Sequence, residues 1–295
     1  MKAESHKLIT ETALQYYKNQ GLSSFFLSAL NDELNSKSLL NGTMDEDDIT
    51  PTRLLNWHFY PANSKIKEED REIFFNLKVR PTSLWLFKKR QEKLLSLLEE
   101  KESVERLFST FGRILHHIQD MNTPSHVVPV YHAHSPEDRL ETFLINEWRT
   151  IKTQLDALNA HFNQFLIVNA FTVINDFAQL YHDAANRLIG ALSSSNGGPF
   201  PVDLTGAGDT ATSDVFWRPY KSAVEVEGIP LSIKGFGTFG PAGENFGKNE
   251  PITVNGKQLI VQQDIFLDIA TFFVKSAICD TLLALKHFDY MLSDY

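Results

Sequence analysis

Five of the ten histidines, His116, His117, His126, His132 and His134, fall within nineteen residues of one another. Imidazole nitrogen and carboxylate oxygen are the donors that zinc takes. The stretch His116-His-Ile-Gln-Asp120-Met-Asn-Thr-Pro124-Ser-His126 sets both types at short spacing. His116 and Asp120 stand at i and i+4, so on a helix they project from one face a turn apart. Two such ligands grip one ion with little chain entropy left to lose. Pro124 then forces the chain out of the helix, which lets His126 turn back toward a neighbouring ion. A bare His-x-x-x-Asp pair is more often a surface ion pair, but the fixed offsets of Pro124 and His126 argue against that here. His117 points about 100° away on the same helix and reads as a packing residue or a support for the ligands.

The next helix helps to choose further ligands. Pro136, behind Ser135 as N-cap, opens it, and the pattern runs past residue 160. At roughly 100° per residue, Glu137 and Glu141 share the face of Leu140, Phe143, Leu144, Trp148 and Ile151, and Asp138 faces away. A carboxylate on a core-facing side needs a cation there. Glu141 is the preferred ligand, with Glu137 in support; an internal salt bridge to Arg113 or another base is the alternative.

The elements that must position these groups read as helices. They span 4–19 (stopped by Gly21), 23–34, 65–78, 83–103, 104–120, 165–192 and 264–287, with a loop over 41–51 carrying Gly42 and the acidic run Asp45-Glu46-Asp47-Asp48. Between about 193 and 263 the texture changes: most of the glycines lie there, with many prolines and short β-like runs at Ser222–Val226 and Leu259–Gln262. The expectation is an all-α fold, one domain over 1–295, with an irregular insert holding a little β. Long excursions of that kind often act as lids or binding surfaces.

Composition narrows the function. Hydrophobic residues make up 42% of the chain, 22 of its residues are Phe, and the mean hydropathy is −0.22. Its apolar runs are broken by Asn169, Asp176, Asp268, Lys275 and Asp280, so none suits a bilayer. A formal charge of −9 disfavours duplex nucleic acid as a partner, but bound divalent cations would still attract a phosphate. The single Cys279 forms no internal disulfide, which fits a reducing compartment or an exported bacterial protein. The first residues lack the apolar run of a signal peptide. The string Gly235-Phe-Gly237-Thr-Phe-Gly240 is followed by Pro241 where a dinucleotide-binding helix would open, and is set aside.

At the central motif the chain resembles the bacterial zinc-dependent phospholipase C family, which shares its fold with the fungal single-strand-specific zinc nucleases. The resemblance rests on His116, Asp120, Pro124 and His126, and on two flanking segments in the right order. These are Ser5-His6 leading to Ala13-Leu14, and Gly42-Thr-Met-Asp-Glu46-Asp47 followed by Asn56-Trp57-His58-Phe59-Tyr60-Pro61. It covers roughly residues 1–190 and implies a multi-helix bundle holding up to three zinc ions. Asp47, His58, His116 and Asp120 would hold the first, with Asp47 also taken as catalytic. Asp120 would bridge to a second, bound by His6 and by the terminal amine and carbonyl of Met1. His126 and Glu141 would hold the third with His134, which is favoured over His132. Three departures stand out: Met1 occupies the place of the family's tryptophan, Glu137 that of its last histidine, and the acidic loop offers Asp45, Asp47 and Asp48, of which Asp47 is chosen.

The resemblance implies a hydrolase, a phospholipase C that cleaves the glycerol-side phosphodiester of phospholipids by metal-activated water. It implies a monomer acting at a membrane surface, secreted or periplasmic, with Phe59 and Tyr60 binding substrate. Trp57 and the segment Phe236–Phe246 are further candidates for the rim. A single-strand-specific nuclease and a non-catalytic relative with a decayed metal site are the competing readings.

Overall fold

The computed structural model describes residues 2–21, 23–47, 56–60, 71–73, 77–130, 138–158, 160, 162, 164–165, 176–193, 198–205, 207–219 and 236–294. Most of what is described is helical and the strands are few and short. Among the described residues no helix is long and apolar enough to cross a membrane.

The helix Ala3–Lys18 buries Ile9, Ala13, Leu14, Tyr16 and Tyr17 and is followed by Gly21 at φ +66, a conformation that favours glycine. A five-residue helix, Phe25–Ala29, then leads to Glu33–Asp45, whose N-cap Asp32 accepts from the backbone N–H groups of Leu34 and Asn35. The residues from Asn41 to Asp45 are therefore helix and not the expected loop. Close packing explains this. A Cβ on Gly42 would lie 2.2 Å from the Ser109 carbonyl oxygen, and one on Gly112 would lie 2.3 Å from that of Leu39. Two glycines let the backbones of Glu33–Asp45 and Val104–Asp120 touch, and that contact carries Glu46 and Asp47 up to the histidines.

Val104–Asp120 buries Leu107, Phe108, Phe111, Ile114, Leu115 and Ile118. The last helix, Gln263–Met291, runs along both it and Ala3–Lys18. Phe288 stacks on Phe111 with ring centroids 4.0 Å apart, and Phe26 and Phe108 both meet the Phe288 ring edge-on. Large rings thus fill the space between helices.

Two expectations are corrected beside this core. Residues 71–73 and 77–82 are strands, not part of a helix over 65–78. Arg71–Ile73 pairs antiparallel with Leu77–Thr82, which also pairs in parallel with Asn56–Phe59. The alternation of Leu77 and Val79 with Lys78 and Arg80 has period two, and Pro81 cannot continue a helix. The second correction concerns the chain after 137. Its helix begins at Arg139, with Asp138 buried as N-cap and accepting from Leu140 N–H at 2.9 Å. It ends at Asn146, and a separate helix, Trp148–Ala157, follows the break at Glu147. Asp138 therefore turns inward to a backbone donor. Ser135, Pro136 and Glu137 lie outside the described residues.

The helix Phe177–Ser193 precedes the insert, whose described parts contain three two-stranded pieces: Val202–Asp203 with Thr210–Ala211, Trp217–Arg218 with Thr238–Phe239, and Ile252–Val254 with Lys257–Leu259. The expected run Ser222–Val226 lies outside the described residues. The insert is anchored at Gly237, whose N–H donates to the Pro129 carbonyl at 2.6 Å just beyond His126.

Candidate metal centre

Seven of the residues singled out from sequence, His6, Asp47, His58, His116, Asp120, His126 and Glu141, converge in one buried cluster. His6, His116 and Asp120 are completely buried. Asp120 stands at the centre. Its Oδ1 faces His6 Nε2 at 3.3 Å and His126 Nε2 at 3.7 Å, while its Oδ2 faces His58 Nδ1 and His116 Nε2, each at 3.2 Å. Asp47 lies across the same space, with Oδ1 3.7 Å from His116 Nε2 and Oδ2 3.8 Å from His6 Nε2. Glu141 Oε1 is 3.7 Å from His126 Nε2. The salt bridge from Glu141 to Arg113 does not form; Arg113 binds Asp45 and Glu46 instead.

The outer contacts decide which ring nitrogen faces inward. His116 Nδ1 lies 2.9 Å from the Thr43 carbonyl oxygen, and His126 Nδ1 is on the His58 carbonyl. A carbonyl only accepts, so both rings carry their proton on Nδ1 and turn the Nε2 lone pair to the cluster. His6 Nδ1 meets Gln119 Oε1 at 2.8 Å. The Gln119 amide is itself oriented, because its Nε2 donates to Thr10 and to Thr281, whose hydroxyl in turn donates to the Ala277 carbonyl. His6 therefore donates from Nδ1 as well, and its buried Nε2 has no hydrogen bond. Fixing one nitrogen so that the other is free to ligate is the usual outer arrangement of a metal-bound histidine.

The electrostatics match. Burial would raise the Asp120 carboxyl, but the neighbouring His126 and His116 hold it well below the usual range. Burial also works to lower His116, yet Asp120 and Asp47 overcome it and raise this histidine. Burial and the His116 charge lower His6. A buried set of imidazole and carboxylate groups is competing for positive charge.

Two groups within the cluster, His6–Asp47–His116 and His58–His116–Asp120, bring ligand atoms within 4.8 Å of one another and could hold a metal ion. The donor set and the inward Nε2 lone pairs fit a divalent cation. Met1, His132, His134, Glu137 and Asp48 lie outside the described residues. Phe59 and Tyr60 are buried beside the centre. Phe59 is tilted over His126 at 5.7 Å and meets Phe236 of the insert at 4.8 Å, and the Tyr60 hydroxyl lies 3.2 Å from His182 Nδ1.

Sequence reasoning missed Thr43 and Gln119, which orient ligands, and Glu46, which forms a third group with His58 and His117. Gln119 was accessible in principle: it lies in the motif, one position before Asp120. The molecule is thus a mostly helical protein with buried His/Asp/Glu groups suited to a metal ion. No family model, curated protein or solved structure matches the chain.

Proposed function

We propose that the chain is a zinc-dependent phosphodiesterase of the phospholipase C and zinc nuclease fold type, acting on the glycerol-side phosphodiester of phospholipids. The convergence of His6, Asp47, His58, His116, Asp120, His126 and Glu141 around one carboxylate carries the reading.

In this reading Asp47, His58, His116 and Asp120 hold one zinc, His6 and Asp120 belong to a second, and His126 with Glu141 to a third. Bound zinc activates a water for attack and offsets charge on the phosphoryl oxygens. The chain's own residues do the rest. Asp120 presents a different oxygen to each side of the cluster and so spaces the two halves. Thr43, Gln119 and the His58 carbonyl keep His116, His6 and His126 in the ligating tautomer. Asp47, 15% exposed, stands at the edge of the cluster and faces two imidazoles, a position from which a carboxylate can orient the attacking water and accept its proton. Phe59 and Phe236 form an apolar wall next to His126, which suits the glyceride part of the substrate.

The test is a zinc count on freshly purified protein with parallel assays on phosphatidylcholine vesicles and on single-stranded DNA. Zinc with release of diacylglycerol is the expected result. Zinc with DNA cleavage alone would replace the lipid by a nucleic-acid substrate, and absence of bound metal would overturn the proposal.

A further inference from the structure

Glu46, His58 and His117 bring ligand atoms within 4.8 Å of one another, and the three are 4%, 1% and 0% exposed. The hydrolase reading makes no use of Glu46 or His117. Both ring nitrogens of His117 are buried and have no hydrogen-bond partner among the described residues. A neutral imidazole has one N–H to donate and one lone pair to offer, and leaving both unmet in an interior is costly. Packing does not explain the residue. His117 lies edge-on to Phe87 at 6.1 Å and to His58 at 4.7 Å, where a phenylalanine would serve as well without polar atoms.

Glu46 completes the donor set. The guanidinium groups of Arg90 and Arg113 sit on Oε1, at 2.7 and 3.1 Å. They reduce the attraction for another cation without supplying anything that an imidazole lone pair can bind.

We propose that Glu46, His58 and His117 bind one further divalent cation of the zinc or cobalt(II) class, enclosed in the protein, that ties the end of the helix Glu33–Asp45 to the helix Val104–Asp120. Two imidazoles and a carboxylate are a donor set for such ions, and the burial of all three marks a structural ion. His58 turns Nδ1 toward His116 and Asp120, so the further ion takes the opposite nitrogen, Nε2. With both sites filled, the remaining ring proton of His58 leaves to solvent and the imidazolate links two ions. The inference goes beyond the hydrolase reading and shares only His58 with it.

The test uses the full chain, stripped of metal and reloaded with cobalt(II), for crystals measured at the cobalt absorption edge and for ion counts on the parent, His117→Phe and Asp120→Asn. Expected is an anomalous peak between Glu46 and His117 in the parent, one ion fewer in His117→Phe, and the same peak kept in Asp120→Asn. A water without anomalous signal at that place, or equal counts for the parent and His117→Phe, overturns the proposal. Should His117→Phe not fold, the anomalous map of the parent decides alone. If Asp120→Asn loses no ion while the peak is present, the reading of the main cluster fails and this one stands.

Discussion

Asp120 and Asp280 are both buried carboxylates, and Asn122 lies near both, two residues beyond the first and hydrogen-bonded to the second. Their surroundings differ in kind. Asp280 accepts from Asn122 Nδ2 at 2.8 Å on one oxygen and pairs with Arg187 on the other. Both partners can only donate at those atoms, so the protein itself satisfies the charge. Burial nevertheless dominates, and the Asp280 carboxyl is raised. Asp120 faces four imidazoles. Three of these have their Nδ1 proton committed elsewhere and turn lone pairs toward the carboxylate. Lone pair against carboxylate is repulsive until a proton or a metal cation comes between them. Buried charge alone does not mark a functional centre; the direction of its partners' lone pairs does.

The largest expected effect breaks the Asp120 side. Asp120→Asn should lower bound zinc and cut phosphodiesterase activity by more than about a hundredfold, since even residues outside the ligand set commonly cost 10- to 100-fold. Addition of zinc should then no longer raise the melting temperature as it does for the parent. Full activity in Asp120→Asn would place the chemistry elsewhere. The next effect breaks the other side. Arg187→Met leaves Asp280 buried without its guanidinium and should cost about 1–2 kcal/mol in urea unfolding, less than for a fully buried pair because Arg187 is 54% exposed, with the zinc count unchanged. A loss of metal in Arg187→Met would show that the two regions are one network and dissolve the contrast.

How far the sequence revealed this depended on how local each signal was. His116, Asp120 and His126 were readable because helical spacing and Pro124 act within eleven residues. The inward turn of Glu141 was readable from the apolar face it shares, and the bounds of Val104–Asp120 follow from a strong period. Gly42 misled: a glycine before an acidic run reads as a loop, whereas here it permits backbone contact with Gly112, seventy positions away in sequence. Asp138 misled for a related reason, since its angle was counted on a helix that it in fact caps. The strand at 77–82 pairs with Arg71–Ile73 on one side and with Asn56–Phe59 on the other, and the second of these partners lies outside any local window. Gln119 and Thr43 went unseen because amide and carbonyl supports carry no titratable signature.

The smallest expected effect sharpens the comparison through pH, in the metal-free chain. An unfolded histidine has its ordinary pKa of 6.5, and burial pushes His117 down to about 3 in the folded chain. Between those values the unfolded state binds more protons, so this histidine removes stability as pH falls from 6.5 toward 3. His116, whose pKa is raised, works in the opposite direction, so the parent alone does not isolate the contribution. The difference between the parent and His117→Phe does: the variant's stability relative to the parent should grow steadily as urea unfolding is repeated from pH 7 down to pH 4. The raised Asp280 carboxyl takes up a proton more readily in the folded state, so the deficit of Arg187→Met should shrink over the same range as the buried charge is neutralised. Both variants should thus gain on the parent as pH falls, His117→Phe because an imidazole that burial keeps neutral is gone and Arg187→Met because its unpaired carboxyl loses its charge; a difference from the parent that stays constant from pH 7 to pH 4 would overturn the assignment for that variant.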